Sequence, residues 1–264
     1  GAIALPAMLE SLGCEVIEIN CEPDGNFTRG TEPLPENLTD LSQAVTSHNA
    51  DVGFAVDPDA DRLAVVNEKG EPLVEEYTLV LAADGYLKDT GKNENFVVNL
   101  STSMALEKLT ESKNSSVTRS AVGEINVVNK MNEIGSDLGG EGNGGVILRE
   151  CHLGRDSLVA VSMVLNRMSQ TEQSLSEIHQ SLPQFEIVKN KVSLDGINPD
   201  AFIEKVSSLF DDADKNTLDG VKFTWEDRWV HLRKSNTEPI MRIYAEAPTK
   251  NGAEKLVIKI QSCL

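Results

Sequence analysis

Apolar and polar residues follow a helix–strand alternation over residues 1–73. AIALPAMLESL (2–12) has helical spacing, CEVIEIN (14–20) has strand character, and PENLTDLSQAVTSHN (35–49) predicts a second helix. The continuous apolar run DVGFAVD (51–57) predicts a strand covered on both faces. This order favours a mostly parallel α/β layer.

RLAVVNEKGEPLV (62–74) predicts a hairpin turning at Asn67–Gly70, and a second αβ series follows over residues 74–183. Helical patterns alternate there with extended ones, and a glycine-rich loop leads into a strand near residue 148. The helices are predicted at 75–89, 102–112, 123–135, 156–170 and 174–182, and the extended segments at 95–100 and 115–121.

The pattern changes after Pro183, because β-branched and aromatic residues now dominate the apolar positions. Strands are predicted at 185–194, 220–226, 228–234 and 238–247, and helices from Asn198–Pro199 and over 249–264. We therefore predict an α/β protein with two mixed-sheet α/β domains, 1–73 and 74–183, followed by a C-terminal α+β domain with an antiparallel sheet, 184–264.

Composition excludes several classes of function. A formal net charge of −18 disfavours nucleic-acid binding, which needs a basic face. No window approaches 18 apolar residues, so we predict no membrane span and no membrane partner. The four cysteines have no paired spacing and indicate reduced thiols, so we expect a cytoplasmic protein.

Candidate chemistry begins at DPDADR (57–62), where Asp57, Asp59 and Asp61 directly follow the apolar strand and Arg62 comes next. Three carboxylates converging in one turn repel each other unless a cation neutralises them, and oxygen ligands of this kind suit Mg²⁺. Ligand sites of open α/β sheets lie at such strand ends. The alternative is an ordinary polar turn with solvated aspartates.

Two other metal-site families share part of this pattern. An EF-hand is rejected, because Arg62 stands where the loop requires glycine and a strand precedes the loop. A haloacid-dehalogenase-type phosphatase also has an apolar strand ending in D-x-D, but Asp61 stands where Thr or Val is usual. The phosphatase stays open as an alternative.

Two later loops offer groups for a phosphorylated sugar. In LGGEGNGGVI (138–147) the glycines allow close approach of the backbone, and Glu141 and Asn143 can bind hydroxyls. In RKSNTEPIMR (233–242) the arginines can pair with phosphate oxygens, and the short polar residues can form an anion nest. The candidate phosphate ligands are Arg233, Ser235, Asn236, Thr237 and Arg242.

The three motifs together resemble the α-D-phosphohexomutases, the family of phosphoglucomutase, phosphomannomutase and phosphoglucosamine mutase. DPDADR resembles the metal loop D-G-D-G/A-D-R, GEGNGG (140–145) the sugar loop, and RKSNTEPIMR the phosphate loop. Gly145 departs from the usual histidine of the sugar loop and Asn143 from its serine. The resemblance implies domains 2 to 4 of this family, with a catalytic-serine domain and the first strand of domain 2 missing.

The resemblance also implies a reaction. Phosphate would move between C1 and C6 of a hexose or hexosamine phosphate through a phosphoserine, with Mg²⁺ held by Asp57, Asp59 and Asp61 and with Arg62 as a catalytic cation. Arg119, Gly123 and Glu124 would line the cleft. Ser47, in TSHNAD, resembles the serine motif but lies only ten residues before Asp57, so we do not expect it to be the nucleophile. The alternative is an inert fragment that binds metal and phosphosugar.

Overall fold

Three sheets organise the chain, and the computed structural model describes residues 1–235 and 238–263. The strands are β1 Val52–Val56, β2 Leu63–Asn67, β3 Asn95–Asn99, β4 Ser116–Ser120, β5 Leu138–Glu141, β6 Gly145–Leu148, β7 Glu186–Ser193, β8 Asp214–Asn216, β9 Val221–Thr224, β10 Trp229–Lys234 and β11 Ile240–Ala247.

The helices of the described residues agree with most of the predicted ones. They are α1 Ala4–Ser11, α2 Thr39–His48, α3 Glu76–Thr90, α4 Ala105–Glu111, α5 Glu124–Ile134, α6 Ser157–Ser169, α7 Leu175–Ser181, α8 Pro199–Ser207 and α9 Lys250–Gln261. The capping box of Ser174 and Glu177 is confirmed at the start of α7. Within these residues no helix is long and apolar enough to cross a membrane.

The first sheet differs from the prediction of a parallel layer. β1 and β2 pair antiparallel, from Val52 opposite Asn67 to Val56 opposite Leu63. Six residues join the two strands, whereas a parallel pair needs a crossover of a dozen or more. The predicted helix over 35–49 is also divided, because Leu38 leaves helical geometry between a short 3-10 helix, Pro35–Asn37, and α2.

The strand predicted at residues 14–20 is wrong. The segment has no ladder partner among the described residues, and its side chains are half-buried or exposed. A groove of about 450 Å³ separates it from the outer edge of β1. Because a strand is defined by hydrogen bonds to a neighbour, apolar sequence alone does not make one.

The central sheet is mixed and carries the main core. Its order is β4-β3-β5-β6, with parallel pairs around β3 and an antiparallel hairpin of β5 and β6. Phe96 and Val98 of β3 face a cluster that includes α3 and α6, and Val97 faces α5 on the other side. The predicted glycine-rich loop is therefore mostly strand, with a turn at residues 142–144.

The C-terminal sheet is antiparallel, as predicted, in the order β7-β11-β10-β9-β8. Apolar residues of α8 and α9 pack with its strands into a separate core, in which Val206, Ile243 and Ile260 are fully buried. The sequence did not predict β8, because its three residues, Asp214–Asn216, are polar and exposed.

Candidate functional site

The loop between β1 and β2, residues 57–62, is called the carboxylate loop. Backbone contacts with the central domain fix it: Leu63 N donates to Gly144 O at 3.0 Å, and Ser157 donates to Ala60 O from its backbone N at 3.1 Å and from its Oγ at 2.7 Å. Gly144 has φ +89°, and a Cβ there would lie 2.4 Å from Leu63 O. This close approach requires glycine.

The three aspartates of the carboxylate loop converge. Asp57, Asp59 and Asp61 each offer one carboxylate oxygen, and these oxygens lie within 4.8 Å of one another. Asp57 is buried and well satisfied, because its Oδ1 accepts from the backbone N of Asp61 and Arg62 at 3.1 Å and its Oδ2 from Arg62 Nε at 2.5 Å. Asp59 is exposed.

Asp57 and Asp61 differ in how their charge is compensated. Burial alone would raise the pKa of Asp57, but the hydrogen bonds from Arg62 outweigh it and leave that pKa below its usual value. For Asp61, burial raises the pKa to about 6; Arg155 opposes this, and Asp57 and Asp59 add to it. Asp61 is thus the less stabilised anion.

The donor set of the carboxylate loop fits a divalent cation. Asp61 Oδ1 is buried without a hydrogen-bond partner, and Asp59 is exposed and able to turn toward an ion. Three carboxylates with free oxygen positions are hard ligands of the kind that Mg²⁺ prefers. Asp57 is the least available of the three, since Arg62 already binds its Oδ2.

Glu141 lies at the carboxyl ends of the parallel strands, where the topology of an open sheet leaves a crevice. It ends β5, and its Oε1 accepts from Asn99 Nδ2 at 2.7 Å and from Gly123 N at 3.0 Å. Asn99 ends β3 and Gly123 follows β4, so three strand ends hold one buried carboxylate. Asn143, in the following turn, accepts from Gly145 N at 3.2 Å.

Arg155, which no sequence motif singled out, joins these groups. Its Nη1 donates to Glu141 Oε2 at 2.8 Å, its Nη2 donates to Asp61 Oδ2, and its backbone N donates to Glu124 Oε1 at 2.7 Å. A lone arginine before a helix carries no periodic signal, so only the folded chain reveals that it connects two loops 80 residues apart.

The predicted phosphate loop lies across two strands. Arg233 of β10 is the register partner of Arg242 of β11, so two cations occupy adjacent positions. Arg233 Nε is 4.0 Å from Asp219 Oδ2, and Arg242 is 3.6 Å from Glu238. Ser235 is buried. The predicted ligands Asn236 and Thr237 lie outside the described residues.

A polar path connects the three motifs. Asp219 Oδ2, beside Arg233, accepts from Val122 N at 3.0 Å, and the next residue, Gly123, donates to Glu141. Arg155 then connects Glu141 to Asp61 through two ion pairs. The structure thus brings the carboxylate loop, the glycine-rich hairpin and Arg233 into one chain of contacts.

A second polar region, residues 99–104, is called the junction loop because it packs against the C-terminal sheet. His231 Nδ1 lies 2.9 Å from Ser101 Oγ, Lys222 Nζ donates to Leu100 O at 2.7 Å, and Glu246 Oε2 accepts from Met104 N at 2.8 Å. Burial lowers the pKa of His231 to about 4 and raises that of Glu246. Sequence analysis did not predict this buried network.

Arg119, in β4, contacts the junction loop. Its Nη1 donates to the carbonyls of Asn99, Leu100 and Thr102, at 3.0, 3.1 and 2.8 Å, and it pairs with Glu107 at 2.7 Å. Its guanidinium therefore orders the loop, whereas Gly123 and Glu124 contact Glu141 and Arg155 directly.

Comparison with known proteins matches successive parts of the chain to three models of one family. Residues 1–70 match phosphoglucomutase/phosphomannomutase α/β/α domain II, residues 75–185 match domain III, and residues 190–260 match the C-terminal domain. The chain belongs to the phosphoglucomutase/phosphomannomutase family. Membership argues against the dehalogenase-type phosphatase.

Relatives within the phosphoglucomutase/phosphomannomutase family cover nearly the whole chain. A phosphoglucomutase/phosphomannomutase of Thermococcus kodakarensis is 34% identical over 97% of this chain and 56% of its own length. A probable phosphoglucosamine mutase of Methanopyrus kandleri is 34% identical over 97% of this chain and 57% of its own. This chain therefore spans little more than half the length of these relatives.

A solved structure also matches nearly the whole of this chain but little more than half of its own length. A phosphoglucomutase/phosphomannomutase family protein of Burkholderia thailandensis superimposes with a TM-score of 0.85 at 25% identity. The match covers 99% of this chain and 58% of that one. The predicted resemblance and the predicted fold class are both confirmed.

Proposed function

We propose that this chain provides the metal, sugar and phosphate sites of a phosphohexomutase. The whole enzyme would catalyse intramolecular phosphoryl transfer between C1 and C6 of a hexose or hexosamine phosphate. The observation that carries this proposal is the polar path from Asp61 through Arg155 and Glu141 toward Arg233, because it connects the proposed cation site with the proposed anion site.

The proposed reaction would use both the cation site and the anion site. A phosphoserine P–O bond would break as a sugar hydroxyl oxygen bonds to phosphorus; the bisphosphate would then turn around and return its other phosphate to the serine. Mg²⁺, when bound, would neutralise charge on the moving phosphoryl group. Asp57, Asp59 and Asp61 would hold it, and Arg62 would orient Asp57 and add positive charge nearby.

Sugar and phosphate recognition would lie on the other two motifs. Glu141 Oε2 accepts one bond from Arg155, which leaves acceptor capacity for a sugar hydroxyl, and Asn143 is half-buried in the adjacent turn. Arg233 and Arg242 would bind the phosphate that does not react. We keep Ser235, Asn236 and Thr237 as predicted ligands of the same phosphate.

The nucleophile would come from a domain outside this chain. Ser47 is exposed in α2 and its Oγ donates to Ala44 O at 3.2 Å, a local helix contact that gives it no base. We accordingly expect these 264 residues to bind ligand without turnover. The division of the chain at residues 73 and 183, and the cytoplasmic location, stay predictions.

Titration calorimetry with a hexose 6-phosphate, with and without Mg²⁺, and a coupled mutase assay test the proposal together. We expect saturable binding and no turnover by this chain. Absence of binding would contradict the proposal, and turnover by this chain alone would contradict the missing nucleophile. Release of inorganic phosphate that is abolished by Asp57→Asn would support the phosphatase instead.

A further inference from the structure

Arg155 stands where the carboxylate loop meets the glycine-rich hairpin. Its side chain is 17% exposed and lies among the carboxylates of Asp61, Glu141 and Glu124, with Glu124 Oε2 3.6 Å from its Nε. Two different guanidinium nitrogens bind Asp61 and Glu141, so the side chain bridges the loops rather than pairing with one of them.

Gly145, at the start of β6, leaves room for the side chain of Arg155. A Cβ at Gly145 would lie 2.3 Å from Arg155 Cδ and 3.0 Å from its Cγ. The aliphatic stem of Arg155 therefore occupies the space that a side chain at position 145 would need. Positions 145 and 155 are coupled sterically, and any residue larger than glycine at 145 must push the guanidinium away from its partners.

The bridge is incompletely satisfied. Arg155 Nε and Asp61 Oδ1 are both buried and have no hydrogen-bond partner. Asp57 is different, because Arg62 and two backbone N–H groups satisfy it. The hydrogen-bonded countercharge of Asp61 is Arg155, because Arg62 Nε lies 3.7 Å from Asp61 Oδ1 and leaves that oxygen without a hydrogen bond.

We propose that Arg155 is a positioning residue with two opposing effects: it competes with a divalent cation for Asp61, and it holds Glu141 and a positive charge in place for the phosphosugar. The second effect rests on the proposed function. Removing the guanidinium frees Asp61 and removes repulsion of the metal, whereas it deprives an anionic ligand of a nearby cation. Metal affinity should rise and phosphosugar affinity should fall.

Arg155→Met and Arg155→Lys test this in the 264-residue chain. Mn²⁺ binding, followed by electron paramagnetic resonance without sugar, should tighten about three- to tenfold in Arg155→Met. Binding of a hexose 6-phosphate, followed by calorimetry, should weaken at least about tenfold. Arg155→Lys keeps the charge but cannot bridge, so it should leave Mn²⁺ affinity near wild type and weaken sugar binding less than Met does.

Gly145→Ala provides a matched test that retains the arginine. Its methyl group should displace Arg155. Mn²⁺ binding should then tighten and hexose 6-phosphate binding should weaken, each by a smaller factor than in Arg155→Met. In the Arg155→Met background Gly145→Ala should change neither affinity, since no guanidinium is left to displace. If Arg155→Met fails to fold, Gly145→Ala and Arg155→Lys carry the comparison.

Parallel loss of both affinities in Arg155→Met, with an unchanged melting temperature, would overturn the proposal. Fully additive effects of the two substitutions would do so as well. The metal measurement needs no sugar, so tighter Mn²⁺ binding in a chain that binds no hexose 6-phosphate would sustain the competition for Asp61 and reject the proposed function alone.

Discussion

Two clusters of acidic residues in this molecule differ in how their negative charge is compensated. In the carboxylate loop three aspartates lie within five residues, next to solvent, and one buried oxygen has no hydrogen bond. At the junction loop Glu76 and Glu246 are buried, with Lys189 3.3 Å from Glu76 and with Glu246 bonded to Trp229 Nε1 at 2.5 Å. The first group retains ligand capacity, whereas the second is internally satisfied.

The comparison distinguishes acidic residues that can bind a ligand from acidic residues that hold two parts of the fold together. An acidic group that the fold fully compensates joins two parts of the chain, and one that the fold leaves short of positive charge is suited to an exogenous cation. Burial raises the pKa of Glu76 to about 7, and Lys189 opposes this shift. Substitutions in the carboxylate loop should therefore change ligand affinity, and substitutions at the junction loop should change stability.

The largest effect is expected for Glu246→Ala. This change leaves the buried N–H groups of Met104 and Trp229 without their acceptor and removes one of the anions near buried Lys222, which should lower the free energy of unfolding by about 3 kcal/mol. Urea unfolding followed by tryptophan fluorescence measures it. Glu254→Ala, on the exposed face of α9, is the control and should stay near wild type. Equal stability of Glu246→Ala and Glu254→Ala would show that Glu246 does not hold the junction loop against the C-terminal sheet.

Arg233→Ala should weaken binding of a hexose 6-phosphate by about 1.5–3 kcal/mol, the range for a charged hydrogen bond. Stability should change little, because Arg233 is partly exposed and only 4.0 Å from its partner Asp219. Calorimetry checks the affinity. Arg228→Ala removes a half-exposed arginine just before β10 and should leave that affinity unchanged. An unaltered affinity in Arg233→Ala would remove that residue from the phosphate site.

His231 should make stability depend on pH at the junction. Its pKa of about 4 in the folded chain lies below the ordinary 6.5, so the neutral ring is favoured by folding. This contribution is complete above pH 6.5 and declines as the pH falls toward 4. Between pH 7.5 and 5, His231→Gln should lose about 2 kcal/mol less stability than wild type. Identical pH profiles in urea unfolding would show that His231 is not buried as a neutral ring.

Asp59→Asn should weaken Mn²⁺ binding at least about tenfold, because the site loses one of three charged ligands. The free energy of unfolding should stay within about 0.5 kcal/mol of wild type, since Asp59 is exposed. Asp51→Asn, an exposed aspartate just before β1, is the control for net charge. Equal Mn²⁺ affinity in the two variants would exclude Asp59 as a ligand.

Local patterns predicted what depends on neighbours in the chain. The helices from α3 onward, the hairpin after β2 and the convergence of Asp57, Asp59 and Asp61 follow from periodicity and spacing within about 15 residues. The prediction was wrong for residues 14–20, where strand formation needed a partner that the described chain does not place beside them. It also missed β8, which contains no apolar residue to signal a strand.

The amino-acid sequence by itself determined the fold class, the order of the three motifs and the crowding of carboxylates at the end of β1. Only the tertiary structure decided that Asp61 is compensated by Arg155, that Gly145 makes room for this arginine and that His231 and Glu246 fasten the junction loop. The physical reason is distance along the chain. Periodicity reports on residues a few positions apart, whereas charge compensation and close packing depend on which remote segments the fold brings within hydrogen-bonding range.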